Sequence, residues 1–179
     1  MADTQQTLTA LLALLADNIT EAISAQDVRD IVETLRNGHG EISVTTAAET
    51  SITSTSSYFP DAGTYTLSAN DHNWDMSTNG QLRYIGTAPR AMIANCSFSM
   101  TSAGNNQVAE LVITKNGTPL TPSVVRRKIG TGSDVGTGAL HAFTSVVNGD
   151  YLDVRIRNTT STANLTLETC NLFAMDMAL

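Results

Sequence analysis

Met92, Ala94, Cys96, Phe98 and Met100 alternate without a slip with Ile93, Asn95, Ser97 and Ser99. A period of two puts one set on each face of an extended strand, and a helix cannot satisfy it. The same period returns along the chain. Tyr65 and Leu67 show it, and residues 108–115 (VAELVITK) run into Asn116–Gly117, a hairpin turn pair. Val124 and Val125 follow a loop with Pro119 and Pro122. Residues 139–147 (ALHAFTSVV) close on Asn148–Gly149, and Leu152, Val154 and Ile156 alternate with Asp153, Arg155 and Arg157. Leu165, Leu167, Phe173, Met175 and Met177 share one parity of a last strand. About seven or eight short strands at this spacing predict an antiparallel sandwich or jelly roll. No helical pattern is interleaved among them, which excludes a parallel α/β sheet.

The chain has 179 residues and a mass of 19.0 kDa, enough for one domain with a modest appendage. Ten Lys and Arg face 17 Asp and Glu, for a net charge of −7. That balance excludes binding to nucleic acid by phosphate neutralisation. Residues 8–16 (LTALLALLA) are apolar but too short to span a bilayer, so no membrane insertion is expected. Cys96 and Cys170 lie far apart. They either pair in an oxidising compartment or sit as two buried thiols, and the second is the expectation.

The first 40 residues read differently. Leu8, Leu11, Leu12, Leu15 and Ile19 fall on one face of a helix. Ser24 is the N-cap of a second helix, with Asp27 at its third position and Val28, Ile31, Val32 and Leu35 as its apolar stripe. Gly38 is the expected stop at its C-terminus, with Arg36 in the last turn. Helices this short are marginal alone, so their stripes need a surface: each other, neighbouring copies or a larger partner. The expected organisation is a helical segment over 1–40, a Ser/Thr-rich linker or arm over 41–57, and the β domain over 58–179. Within 41–57 the alternation of Ile42 and Val44 suggests the start of a short strand, and the arm could add as a strand to a neighbouring subunit.

A search for chemistry finds no catalytic pattern and no cofactor motif. His39, His72 and His141 are scattered, with no paired spacing for a metal. His72 with Asp71 and Asp75 is the nearest to a cation site, and a solvated loop is the competing reading. No serine stands in GxSxG. The glycines of 130–138 (GTGSDVGTG) precede a strand and not a helix, so they are a surface loop and not a phosphate cradle. His72 and Trp74 in the polar loop 71–80, and Asp134 in 130–138, are the candidate ligand-loop residues. Arg126, Arg127 and Lys128 form a basic run that suits either an acidic partner or a solvated strand end.

The stretches QLRYIGTAPRAMIANCSFSM, ELVITKNGTPL, SVVNGDYLDVRIRN and ANLTLETCNLFAMDM each correspond to a strand–turn unit. Together they resemble the trimeric jelly roll of tumour-necrosis-factor-like and complement-head proteins, in the version found in bacteriophage virion proteins. The front segment LLALLADNITEAISAQDVRDIVETL is similar to helical segments of phage fibre and decoration proteins. The resemblance implies a mainly β, TNF-like fold and a homotrimer; no enzyme is expected, because no acid–base pair stands at a useful spacing, and a virion glycan hydrolase is the third reading. It further implies a capsid decoration (cement or head-fibre) protein on the outside of the particle, made in the host cytoplasm. Leu8, Leu11, Leu12, Leu15, Ile19, Val28, Ile31, Val32 and Leu35 would then contact other copies, the major capsid protein or another virion protein. A tail-fibre tip recognising a host-surface glycan is the alternative.

Overall fold

A computed structural model describes residues 24–177, together with Thr7, Thr9, Ala10 and Ala13. Among the described residues Thr9, Ala10 and Ala13 are helical, and the helix α1 (Ala25–Leu35) precedes thirteen strands. These are β1 (His39–Thr46), β2 (Glu49–Thr50), β3 (Phe59–Pro60), β4 (Thr64–Leu67), β5 (Trp74–Thr78), β6 (Gln81–Tyr84) and β7 (Arg90–Ser102). After them come β8 (Gln107–Lys115), β9 (Thr118–Pro119), β10 (Val125–Ile129), β11 (Gly136–Val146), β12 (Tyr151–Asn158) and β13 (Leu165–Asp176).

Two antiparallel sheets face one another. The first runs β11-β7-β13-β1-β4, with β2 on the start of β13. The second runs β10-β8-β12-β6-β5, with β3 on β12 and β9 on β8. This is the expected mainly β jelly-roll sandwich. Its core takes Met92, Ala94, Cys96, Phe98 and Met100 from β7, the set the alternation selects. Leu111 and Ile113 of β8 and Leu152, Val154 and Ile156 of β12 meet them from the other sheet. Among the described residues no helix is long and apolar enough to cross a membrane.

Three expectations need correction. The 41–57 stretch is not a linker. β1 is flanked by β13 and β4, Ile42 and Ile52 are buried, and Asn164 accepts the Ile52 N–H at 3.0 Å. The β domain therefore starts at His39, not at residue 58. The 71–80 stretch is not a polar loop either, because it contains β5 and buries Trp74. Lastly, β13 does not keep one parity. A bulge between Leu167 and Thr169 shifts its register against β7. An extra residue turns every later side chain to the other face. Leu165 and Leu167 point inward, then Cys170, Leu172 and Ala174 do, and Phe173 and Met175 are turned outward.

α1 has the anticipated start. The Asp27 N–H donates to Ser24 Oγ at 3.1 Å and the Ser24 N–H donates to Asp27 Oδ2 at 2.7 Å. Its end is different. Arg36 caps it in an extended conformation, and Gly38 lies two residues further on. Gly38 is instead a point of close approach: its carbonyl accepts the Asp176 N–H, and a Cβ there would stand 3.3 Å from the Asp176 carboxylate. The expected contact residues Leu8, Leu11, Leu12, Leu15 and Ile19 lie outside the described residues.

Candidate functional site

α1 docks on the sandwich by its polar side. Glu33 Oε1 lies 2.9 Å from His72 Nε2, and Arg90 Nη2 donates to the Thr34 carbonyl at 2.7 Å. Asp30 and Thr34 are the buried residues of the helix. The stripe points the other way: Val32 is 62 % exposed and Leu35 71 %, Val28 is also exposed, and Ile31 is half-buried. An amphipathic helix normally buries its apolar stripe. Here the polar face is inside and the apolar face is offered to solvent.

A second unpartnered surface covers the outside of the first sheet. The register sets Phe143, Ile93 and Met175 in one row across β11, β7 and β13. The next rows are His141–Asn95–Phe173 and Ala139–Ser97–Asn171. Phe143 is 66 % exposed and Met175 is exposed too. Beside this apolar row, a trough of about 310 Å³ opens over the small side chains of Ser97 and Ala139, walled by His141 and Phe173. No Lys, Arg, Asp or Glu occupies an outward position over 91–99 of β7, 137–145 of β11 or 171–175 of β13. Glu41, bonded to Asn171, and Glu168, bonded to Thr101 at 2.7 Å, mark the rim. Sequence reading missed this face because Phe173 and Met175 reach it only through the bulge.

The candidate ligand residues do not converge. Trp74 packs edge-on against Tyr84, with ring centroids 5.4 Å apart, and is closed off from solvent. His72 is the seat of α1, and burial lowers its pKa against the opposing pull of Glu33. Asp134 alone is exposed, and its Oδ2 accepts the Gly130 N–H at 2.7 Å within its own loop. The His72–Asp71–Asp75 grouping is not assembled. Asp71 Oδ1 accepts the Glu41 N–H, and Asp75 is taken by Arg83 at 2.6 and 2.8 Å. Among the described residues no three His, Cys, Asp or Glu side chains stand close enough to hold a metal. Cys96 and Cys170 are free, buried thiols with sulfurs 3.6 Å apart on β7 and β13. Their mutual hydrogen bond and burial push the Cys96 thiol up.

The basic run meets residues that sequence reading left unconnected. Arg126 of β10, Glu110 of β8 and Arg157 of β12 form one row on the outside of the second sheet. Glu110 is only 3 % exposed. Its carboxylate accepts from Arg126 Nε at 2.9 Å, Arg157 Nε at 2.7 Å and the Tyr58 hydroxyl at 3.0 Å. Burial alone would raise its pKa, but the hydrogen bonds from Arg126, Arg157 and Tyr58 outweigh it and hold Glu110 below the usual range.

Neither a protein-family model nor a curated protein matches this chain. Solved structures do. The Eiger TNF structure from S. frugiperda superposes with a TM-score of 0.50 at 10% identity, covering 79% of this chain and 93% of that one. Murine APRIL, solved at pH 5.0, gives a TM-score of 0.44 at 14% identity, covering 78% and 99%. With two antiparallel sheets and the Eiger superposition in view, the β domain has a TNF-like jelly-roll fold.

Proposed function

We propose that this chain is a structural, self-associating display protein: a homotrimer attached to a bacteriophage capsid as a decoration protein, with the jelly roll projecting outward. The observation that carries the reading is the inverted helix. Val28, Val32 and Leu35 remain exposed although α1 is firmly held on its own domain. Fully burying one such side chain contributes about 1.5–3 kcal/mol. A stripe of three per copy, multiplied over a trimer, is enough for attachment by avidity where all copies reach the shell together. The uncharged face of the first sheet supports the self-association, since loss of charged residues marks the centre of protein interfaces. The tail-tip alternative has less behind it, because Trp74 is internal and His72 is engaged with the helix.

Two measurements test this. Light scattering should give three times the chain mass for the wild type and a monomer for Phe143→Asp. Co-sedimentation with virions from the host that carries the gene should succeed for the wild type. It should be lost in Val28→Asp/Val32→Asp, which keeps the trimer mass. A monomeric wild type removes the trimer, and full particle occupancy by the helix variant removes the docking role.

A further inference from the structure

We propose that the outer face of the second sheet, at β10, β8 and β12, binds an anionic polysaccharide through Arg126, Lys128, Arg155 and Arg157. This stands apart from the self-association reading, which uses the other sheet. Five of the ten Lys and Arg of an acidic chain lie on two strands, and four of them face outward; Arg127, paired with the buried Ala109, has the opposite parity. The carboxylates among them are Glu110 and Asp153, both buried. Cations therefore outnumber anions here, against the sign of the whole molecule.

The guanidinium groups are already held in place. Arg126 and Arg157 are both pinned by Glu110, and Arg157 lies over the Tyr58 ring at 4.5 Å. Arg155 Nε donates to Asp153 Oδ2 at 3.1 Å, and Asp153 also accepts from Thr114. Despite its pairing, the Arg126 side chain is 67 % exposed. Folding has thus already removed much of the side-chain freedom that binding would otherwise have to remove. Guanidinium forks match carboxylate and sulfate groups.

Edge protection is the competing explanation for charged residues on a border strand. It accounts for Arg126, Arg127 and Lys128 on β10, which ends the sheet. It does not account for Arg155 and Arg157, which stand on β12 with β8 between them and the edge. Strand geometry spaces the cations roughly 7 Å apart along each strand and roughly 10 Å apart from β10 to β12. Arg126 and Arg157 share the Glu110 row, with Lys128 one step to one side of it and Arg155 one step to the other, so the cations run diagonally across the sheet. A repeating acidic sugar offers a regular array of charge, without the bulk of a folded acidic protein.

The test immobilises dextran sulfate, polygalacturonate and poly-L-glutamate separately and measures binding of the full chain against NaCl. The wild type should bind both sugar polymers at low salt, with log affinity falling against log salt at a slope of roughly three. Lys128→Gln, at an outward residue outside the Glu110 cluster, should weaken binding about threefold. Arg29→Gln on α1, with the same net charge, should bind like the wild type. The salt slope of the wild type reads the surface without any substitution. No retention of the wild type overturns the proposal. So does an equal loss in the α1 variant, or tighter binding to poly-L-glutamate than to either sugar polymer.

Discussion

At the scale of single residues, Glu110 does the most with one side chain. It is a buried carboxylate that joins three strands and Tyr58 through charged hydrogen bonds. Removing one partner from such a group strands the others, and hydrogen bonds to charged groups are worth about 1.5–3 kcal/mol each. Because its folded pKa is depressed, its contribution is present above the ordinary value of 4.5 and is lost as pH falls through the lower folded value. Glu110→Gln should therefore lower stability in urea melts at pH 7 and flatten the loss of stability below about pH 4.5. A melt curve of the variant that tracks the wild type at every pH would show that Glu110 is not coupled to folding. None of this was legible in the sequence. The run at 126–128 is visible there, but Glu110 and Arg157 lie 16 and 47 residues away from their partners.

At the scale of elements, α1 was readable as a helix from Ser24 and Asp27, and its stripe from the spacing of Val28, Val32 and Leu35. Which face would dock was not readable, because that depends on His72 and Arg90 arriving from distant turns and strands. The dock is also sensitive to acid. His72 sits against Glu33, with Arg36, His39 and Asp176 around it, and Arg90 and Asp71 near by. Its folded pKa is lowered chiefly by burial, so docking is unpenalised above the ordinary value of 6.5 and loses stability as pH falls below it. Amide exchange in α1 should be faster at pH 5.5 than at pH 7.5, relative to β7 in the same sample. His72→Gln should remove that difference. An α1 whose protection follows β7 at both pH values would contradict the latch. β13 teaches the same lesson about elements: its parity reading was right up to Leu167 and wrong after Thr169, because a bulge adds one residue without changing the hydrophobic vocabulary.

At the scale of the whole molecule, the two sheets have opposite characters on their outer faces. One carries Phe143, Ile93 and Met175 among uncharged neighbours; the other carries fixed arginines. Assembly through the first face would leave the second on display. If copies associate through the first face, association stabilises the folded chain by mass action. The thermal midpoint should then rise with protein concentration for the wild type and stay constant for Phe143→Asp. A midpoint independent of concentration in both would separate stability from assembly.

Period-two alternation, turn pairs and a capping box are local, so the amino-acid order alone determined the sandwich, most of its strands and the existence of α1. It also determined the core set of β7, because the alternation there is unbroken. What only the tertiary structure decided is orientation and neighbourhood. These include the outward stripe of α1, the recruitment of β1 between β13 and β4, the parity switch in β13, and the meeting of Arg126, Glu110 and Arg157. Each depends on a contact between residues far apart in the chain, and local pattern holds no record of which distant groups will meet.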